Sequence, residues 1–301
     1  MLDMQMIEWP VLAGLSAHAA LRVPPWRGES INGRTILVHA LDAPTDALFG
    51  FRYVPQLASR GADVIIQVER AQVALLGRMG GVRLAIDQAA PTPPADYAVP
   101  FQALGSLVEG DTDPRLVSNP NCVNPNFANP YLRADRSRVH HWQQQFAPDA
   151  SHTVERVLLC FGEPGSTNPH ESIPLTALTP LFESSEINWI VLESALTSWE
   201  LNALRRHPSV TIVATADLDD VAGLIKAVDR VASIDSVVGH LAGALGAPGW
   251  ALLSATPNWP WLRTRRGSSH YPTLETIRQA RVGDWQDVVA VISTALAPYA
   301  V

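Results

Sequence analysis

Apolar residues along this chain fall into short unbroken runs, separated by longer stretches in which apolar and polar positions alternate with a helical period. The run in "GRTILVHAL" (33–41) is too short for a helix and rich in β-branched side chains, so it predicts a buried strand. "ALFGFRYVPQLASRG" (47–61) predicts a helix closed by Gly61, and "ADVIIQV" (62–68) the next strand. Strand, helix and strand in that order imply a parallel sheet. "RAQVALLGRMGG" and "VRLAID" (70–87) continue the alternation. Between 91 and 130 proline and asparagine accumulate, in "PTPPADYAVP" and "SNPNCVNPNFANPYL", which predicts mainly irregular surface structure with short elements embedded.

A second, more regular alternation follows. "DRSRVHHWQQQF" (135–146) predicts a helix and "APDASHT" (147–153) a linker. Beyond it "RVLLCF", "NWIVLE", "VTIVAT", "VASID" and "GWALLS" read as strands, separated by helices near 175–183, 198–206, 218–229 and 237–245, with "WQDVVAVISTALAPY" (285–299) as a closing helix. The expected fold class is therefore α/β, with two Rossmann-like, doubly wound parallel-sheet domains: 1–148, including an N-terminal arm, and 149–301. Open α/β sheets bind ligands outside the carboxyl ends of their strands, so function is expected at strand-to-helix loops facing a cleft between the halves.

Composition agrees with that picture. The chain has 301 residues, 47% of them hydrophobic and 17% charged, enough for two hydrophobic cores. A net charge of -7 gives no broad attraction for nucleic acid or an anionic membrane surface. The run "RTRR" (263–266) is either a solvated stretch or a local basic patch. Two cysteines, Cys122 and Cys160, are too few for a disulfide scaffold or a zinc site and read as inert core thiols in a reducing compartment. The opening "MLDMQMIEWPVLAG" has no basic region and no sustained apolar stretch, and no segment approaches the roughly 20 apolar residues of a membrane span. A cytoplasmic protein is the expectation.

Two loops carry candidate chemistry. In "VASIDSVVGHLAGALGAPGWALL" the strand ends at Asp235, and Asp235 or Ser236 can cap the helix that follows. First-turn amides of a helix lack internal partners and suit a phosphate. His240 lies on the same face as Ser236, so it either donates to a bound anion or satisfies a neighbouring carbonyl in a packed helix. Asp46 lies at a helix start just after the first strand, where it is either a cap or a general base. Trp259 and Trp261 either stack on a ligand or anchor their loop. "HHW" (140–142) reads as helix surface without metal-ligand company, and "DLDD" (217–220) as a capped helix start. No G-x-S-x-G elbow, Walker loop or full dinucleotide fingerprint is visible.

The segment "VASIDSVVGHLAGALGAPGWALLSATPNWPWLRTRRGSSHYPT" closely resembles the carboxy-terminal signature of bacterial glycosyltransferases related to lipopolysaccharide heptosyltransferases, especially the subgroup often fused to tetratricopeptide repeats. "PPWRGESINGRTILVHALDAPTDALFGFRYVPQLASRGADVIIQV" resembles the same group's amino-terminal pattern. The resemblance implies a GT-B architecture, with the acceptor contacted mainly by the first half and a nucleotide-diphosphate sugar held mainly by the second. It implies inverting transfer to an acceptor hydroxyl without metal or other cofactor. Asp46 then matches the base, and Asp235, Ser236, Val237, Val238, Gly239 and His240 the loop and helix start that hold the donor, with His240 stabilising charge on the departing nucleotide. Thr45, Asn168, His170, Glu193, Trp259 and Trp261 are candidates for further donor or acceptor contacts.

The sequence also departs from the group. "APTD" replaces the G-x-G-D loop, with Ala43 and Thr45 for glycines and Pro44 between them. "GSTNPHESIPL" places Pro169 and Glu171 where cations meet the donor. Glu193 stands for a glutamine near the base, Pro260 for an arginine and His270 for a tryptophan. These changes keep open a catalytically impaired GT-B-fold binding or scaffold protein that assists a partner, and, more weakly, a sugar-nucleotide epimerase. No tetratricopeptide repeat is visible ahead of the fold, so acceptor recognition of that kind is expected to be absent or supplied by a partner, and a protein partner or a homo-oligomer is left open. Donor sugar and acceptor, whether glycan, lipid-linked or protein, are left open.

Overall fold

The computed structural model describes residues 22–40, 44–109, 130–146, 154–162, 172–183, 186–257, 261 and 270–296, with the backbone alone at 44–46, 106 and 109. The chain divides into two compact units, Met1–Val117 and Ser118–Val301.

In the first unit the apolar run centred on Ile36, Leu37 and Val38 forms β1 (Thr35–His39), and all three side chains are fully buried. β2 (Asp63–Val68) lies beside it, followed by β3 (Val82–Asp87) and β4 (Tyr97–Pro100). Every pairing is parallel, in the order β3-β2-β1-β4. Continuous apolar strands such as β1 and β2 suit a parallel sheet covered on both faces. β4 sits within the stretch read as mainly irregular. Its four residues are too few to show periodicity, and Pro100 at its end is tolerated because β4 is an edge strand.

The single helix expected over 47–61 is broken. It becomes α1 (Pro44–Gly50), a 3-10 turn at Phe51–Tyr53, and α2 (Val54–Ser59). Pro55 has no N–H to give to the carbonyl four residues back, so the ladder is interrupted there and the intervening turn tightens. Pro44 opens α1, where its missing N–H costs nothing. α3 (Arg70–Leu76) and α4 (Leu104–Glu109) complete the unit.

The second unit contains α5 (Arg136–Gln145), β5 (Glu155–Cys160), α6 (Leu175–Leu178), β6 (Ile187–Leu192), α7 (Ser198–Leu204), β7 (Val210–Val213), α8 (Leu218–Ala227), β8 (Arg230–Ile234), α9 (Val237–Ala244), β9 (Gly249–Leu253), β10 (Leu274–Arg278) and α10 (Gln286–Leu296). All pairings are again parallel, in the order β10-β9-β8-β5-β6-β7. Counted within the unit this is the 3-2-1-4-5-6 order of a doubly wound sheet, and the direction of winding reverses between β5 and β8. β10 was not expected from the sequence: "LETIR" is short and carries two charged positions, as an edge strand can.

The second unit begins ahead of the 148/149 boundary expected from the linker. The N–H groups of Tyr131 and Leu132 both donate to the Ala244 carbonyl at the end of α9, each at 3.1 Å. The α5 helix packs on α8 through Trp142, which is buried and donates its indole N–H to Asp220 at 3.0 Å. Arg138 bridges to Asp217, Asp219 and Asp220 at 2.9, 3.6 and 3.6 Å. Trp142 is thus an anchor and not the surface residue that "HHW" suggested, whereas His140 and His141 are exposed. Asp217 caps α8, as the "DLDD" run implied.

Gly249, the first residue of β9, has φ +154, and a Cβ there would lie 1.9 Å from the Val231 carbonyl oxygen of β8. Gly249→Ala is expected to destabilise the unit by about 3 kcal/mol or more, since a clash with a central strand has no cheap relief. Gly283, at φ +80 with nothing within 4 Å, should lose only about 1 kcal/mol on the same change. Urea denaturation of the two variants checks the contrast.

Candidate functional site

The loop from β8 into α9 lies at the switch point of the second sheet. Ser236 is extended (φ −153, ψ 168) and caps α9, its Oγ accepting from the Gly239 N–H at 3.3 Å. Ser233 Oγ donates to the Ile234 carbonyl at 2.9 Å, so the 2.9 Å contact between the two hydroxyls has Ser236 as donor. From the end of β5, Cys160 places its buried Sγ 3.6 Å from Ser236 Oγ. With the Gly239 amide taken by the cap, the Val237 and Val238 amides are the first-turn groups that α9 itself cannot satisfy. They carry the positive end of the helix dipole, which favours an anion.

Beneath that turn four side chains interlock. Asp235 Oδ1 accepts from the Trp261 indole N–H at 2.7 Å and pairs with His240 Nε2 at 3.3 Å. His240 Nδ1 lies 3.0 Å from the Tyr271 hydroxyl. The three rings form a closed cluster, with centroid separations of 5.4 Å (His240–Trp261), 5.7 Å (His240–Tyr271) and 5.4 Å (Trp261–Tyr271). All three are buried, and the Arg278 guanidinium of β10 donates to the Trp261 carbonyl at 2.7 Å. Trp261 therefore takes the anchoring role of the two the sequence left open. His240 meets a carboxylate and a phenol.

Tyr271 was not among the residues singled out from the sequence. Its signal was Gly243: a Cβ there would lie 2.3 Å from the Tyr271 ring, so α9 is bare where this ring lies against it. The other candidates are dispersed. Glu193 is exposed and opens a 3-10 turn at the carboxyl end of β6. Asp46 is the third residue of α1, after β1 in the first unit, and Thr45 precedes it. Ala43, Asn168, Pro169, His170, Glu171, Trp259 and Pro260 lie outside the described residues, as do Cys122 and the "RTRR" run. Among the described residues no group of three His, Cys, Asp or Glu is gathered as a metal site, and no helix is long and apolar enough to cross a membrane.

Two parallel-sheet α/β units of this topology are the architecture of the GT-B fold. Residues 193–265, which include the whole β8–α9 loop, match the model of glycosyltransferase family 9 (heptosyltransferase). The structure is similar to Escherichia coli ADP-heptose lipopolysaccharide heptosyltransferase II (TM-score 0.58, 16% identity, 89% of this chain and 100% of that one). It is similar also to a family 9 glycosyl transferase from Veillonella parvula (0.59, 9%, 90% and 91%) and to E. coli heptosyltransferase WaaC with ADP-2-deoxy-2-fluoro heptose (0.55, 14%, 87% and 99%). Among curated proteins, Protein FlbA of Caulobacter vibrioides is 26% identical over 181 residues, 57% of this chain. The chain spans only 30% of that relative's length.

Ser236 has a capping role of its own. Ser236→Ala should lower stability by about 1 kcal/mol at unchanged denaturant slope, and Ser236→Gly by less, in equilibrium unfolding.

Proposed function

We propose that this chain transfers a sugar from a nucleoside-diphosphate donor to an acceptor hydroxyl, with inversion and without a metal. The observation that carries the reading is the amino end of α9, capped by Ser236 and braced by Asp235, inside the segment that matches the heptosyltransferase family. The donor diphosphate sits on the Val237 and Val238 amides, where the helix dipole offsets its charge. As the glycosidic bond breaks, negative charge grows on the leaving phosphate, and these fixed donors stabilise it more than they stabilise the intact donor.

Asp46 is the base. Its carboxylate takes the acceptor hydroxyl proton while that oxygen attacks the anomeric carbon from the face opposite the phosphate, and the nucleoside diphosphate leaves. Structural relatives crystallised with ADP and an ADP-heptose analogue make ADP-sugars the first donors to test.

A second reading, a catalytically impaired binding or scaffold protein that assists a partner, is favoured by the sequence itself: Ala43 and Thr45 replace glycines, and Pro169 and Glu171 replace cations. Calorimetry with ADP-, UDP-, GDP- and dTDP-sugars, followed by donor hydrolysis assays, separates the two. Binding with turnover supports the transferase; binding without turnover, or no donor binding, overturns it and supports the scaffold.

In an active preparation Asp46→Asn should reduce turnover about 10²- to 10⁴-fold while leaving donor affinity nearly unchanged. His240→Ala should weaken nucleoside-diphosphate binding by about tenfold, because the brace on Asp235 is lost. An unchanged dissociation constant would remove His240 from the donor site.

A further inference from the structure

β10 is an edge strand, and its carboxyl end carries two adjacent residues whose side chains reach the same loop. The Gln279 N–H donates to the Leu253 carbonyl at 3.0 Å, which continues the ladder between β9 and β10 past Arg278. Gln279 Oε1 accepts two backbone N–H groups at 3.3 Å each, from Ala255 just after β9 and from Gly283 in the turn before α10. Only the oxygen of a carboxamide accepts, so these two bonds fix which way the side chain faces. Arg278 acts further along the loop, where its guanidinium donates to the Trp261 carbonyl at 2.7 Å. Consecutive residues at the end of one strand therefore hold the chain at both Ala255 and Trp261. Gln279 is buried, so water competes little for its bonds.

We propose that Arg278 and Gln279 form a clasp that positions Trp261, and through it the loop on which the donor diphosphate sits. Trp261 Nε1–H donates to Asp235 Oδ1 at 2.7 Å, and Asp235 immediately precedes Ser236, the cap of α9. The path from the clasp to the donor is thus a series of hydrogen bonds: Gln279 to Ala255, Arg278 to Trp261, Trp261 to Asp235. It ties the end of β8 to β10, two strands away at the edge of the sheet. The clasp rests on the donor site proposed above and adds two positioning residues to it, which act through Trp261. A loop fixed before the donor arrives loses little conformational freedom on binding, so a loosened clasp weakens donor affinity and leaves the chemical step alone.

The test uses the full chain with 15N-labelled tryptophan. The Trp261 indole resonance is assigned by its disappearance in Trp261→Phe and is read without any ligand. Gln279→Met keeps the length of the side chain and removes the accepting oxygen, whereas Gln279→Glu keeps an oxygen for both N–H groups. In Gln279→Met the Trp261 indole proton should move upfield and exchange with solvent about tenfold faster, as its bond to Asp235 loosens. The ADP dissociation constant should rise about three- to tenfold in the same variant, and Gln279→Glu should restore both readouts to within about twofold of the parent. Arg278→Met, which releases the loop at Trp261, should behave as Gln279→Met does, so the result does not depend on one variant. A glutamine with a merely structural role would lower the urea midpoint without moving this resonance. An unchanged Trp261 indole shift and exchange rate in either methionine variant, or no recovery in Gln279→Glu, overturns the proposal. Failure of the parent to bind ADP, UDP, GDP or dTDP overturns the donor reading instead, because the indole resonance is measured independently of it.

Discussion

The candidate site depends on one half-buried carboxylate. Asp235 follows β8, and the indole of Trp261 and the imidazole of His240 meet it there, where a poorly solvated charge needs partners. Those partners come from different places: His240 from the helix that Asp235 precedes, Trp261 from a later loop. By joining them, Asp235 fixes the path of the chain between strand and helix. That path decides where the first amides of α9 point. Removing either partner leaves Asp235 with weaker compensation, so the cluster is cooperative and the geometry of the helix end is coupled to residues more distant in sequence.

The sheets supply the setting. Each unit carries its strands in parallel, so all carboxyl ends within a unit share one edge, and each winds in both directions from a central strand. In the second unit the reversal lies between β5 and β8, and the β8–α9 loop emerges beside it, with Cys160 at the end of β5 against the capping serine. In the first unit α1, with Asp46, follows the central strand β1. The same topology thus provides a helix start after a central or neighbouring strand twice, once with a carboxylate in the first turn and once with a serine cap and two first-turn amides that the helix itself does not satisfy.

Most of the strand–helix alternation was legible in the sequence, because parallel strands are continuous apolar runs and the helices between them are amphipathic. The missed strands, β4 and β10, are edge strands with proline or charged residues, where periodicity has no room to develop. The break in the first helix was visible as Pro55 but was outweighed by the apolar pattern around it. At the site, the serine cap and the histidine were readable from spacing because they are local. The roles of Tyr271 and Trp261 were not. His240 and Tyr271 are 31 residues apart, and whether a tryptophan stacks on a ligand or donates to a carboxylate is decided by tertiary packing. Trp142 was misread for the same reason: its helix is polar overall, yet its indole docks on α8.

The central claim is that the amino end of α9 receives a diphosphate. Backbone amide spectra of the 15N-labelled chain during addition of ADP test it most directly. The account predicts that the largest downfield proton shifts fall on Val237 and Val238, the amides that α9 leaves for an anion. Saturable binding whose shifts fall elsewhere, or no shift at these amides at millimolar ADP, would contradict it.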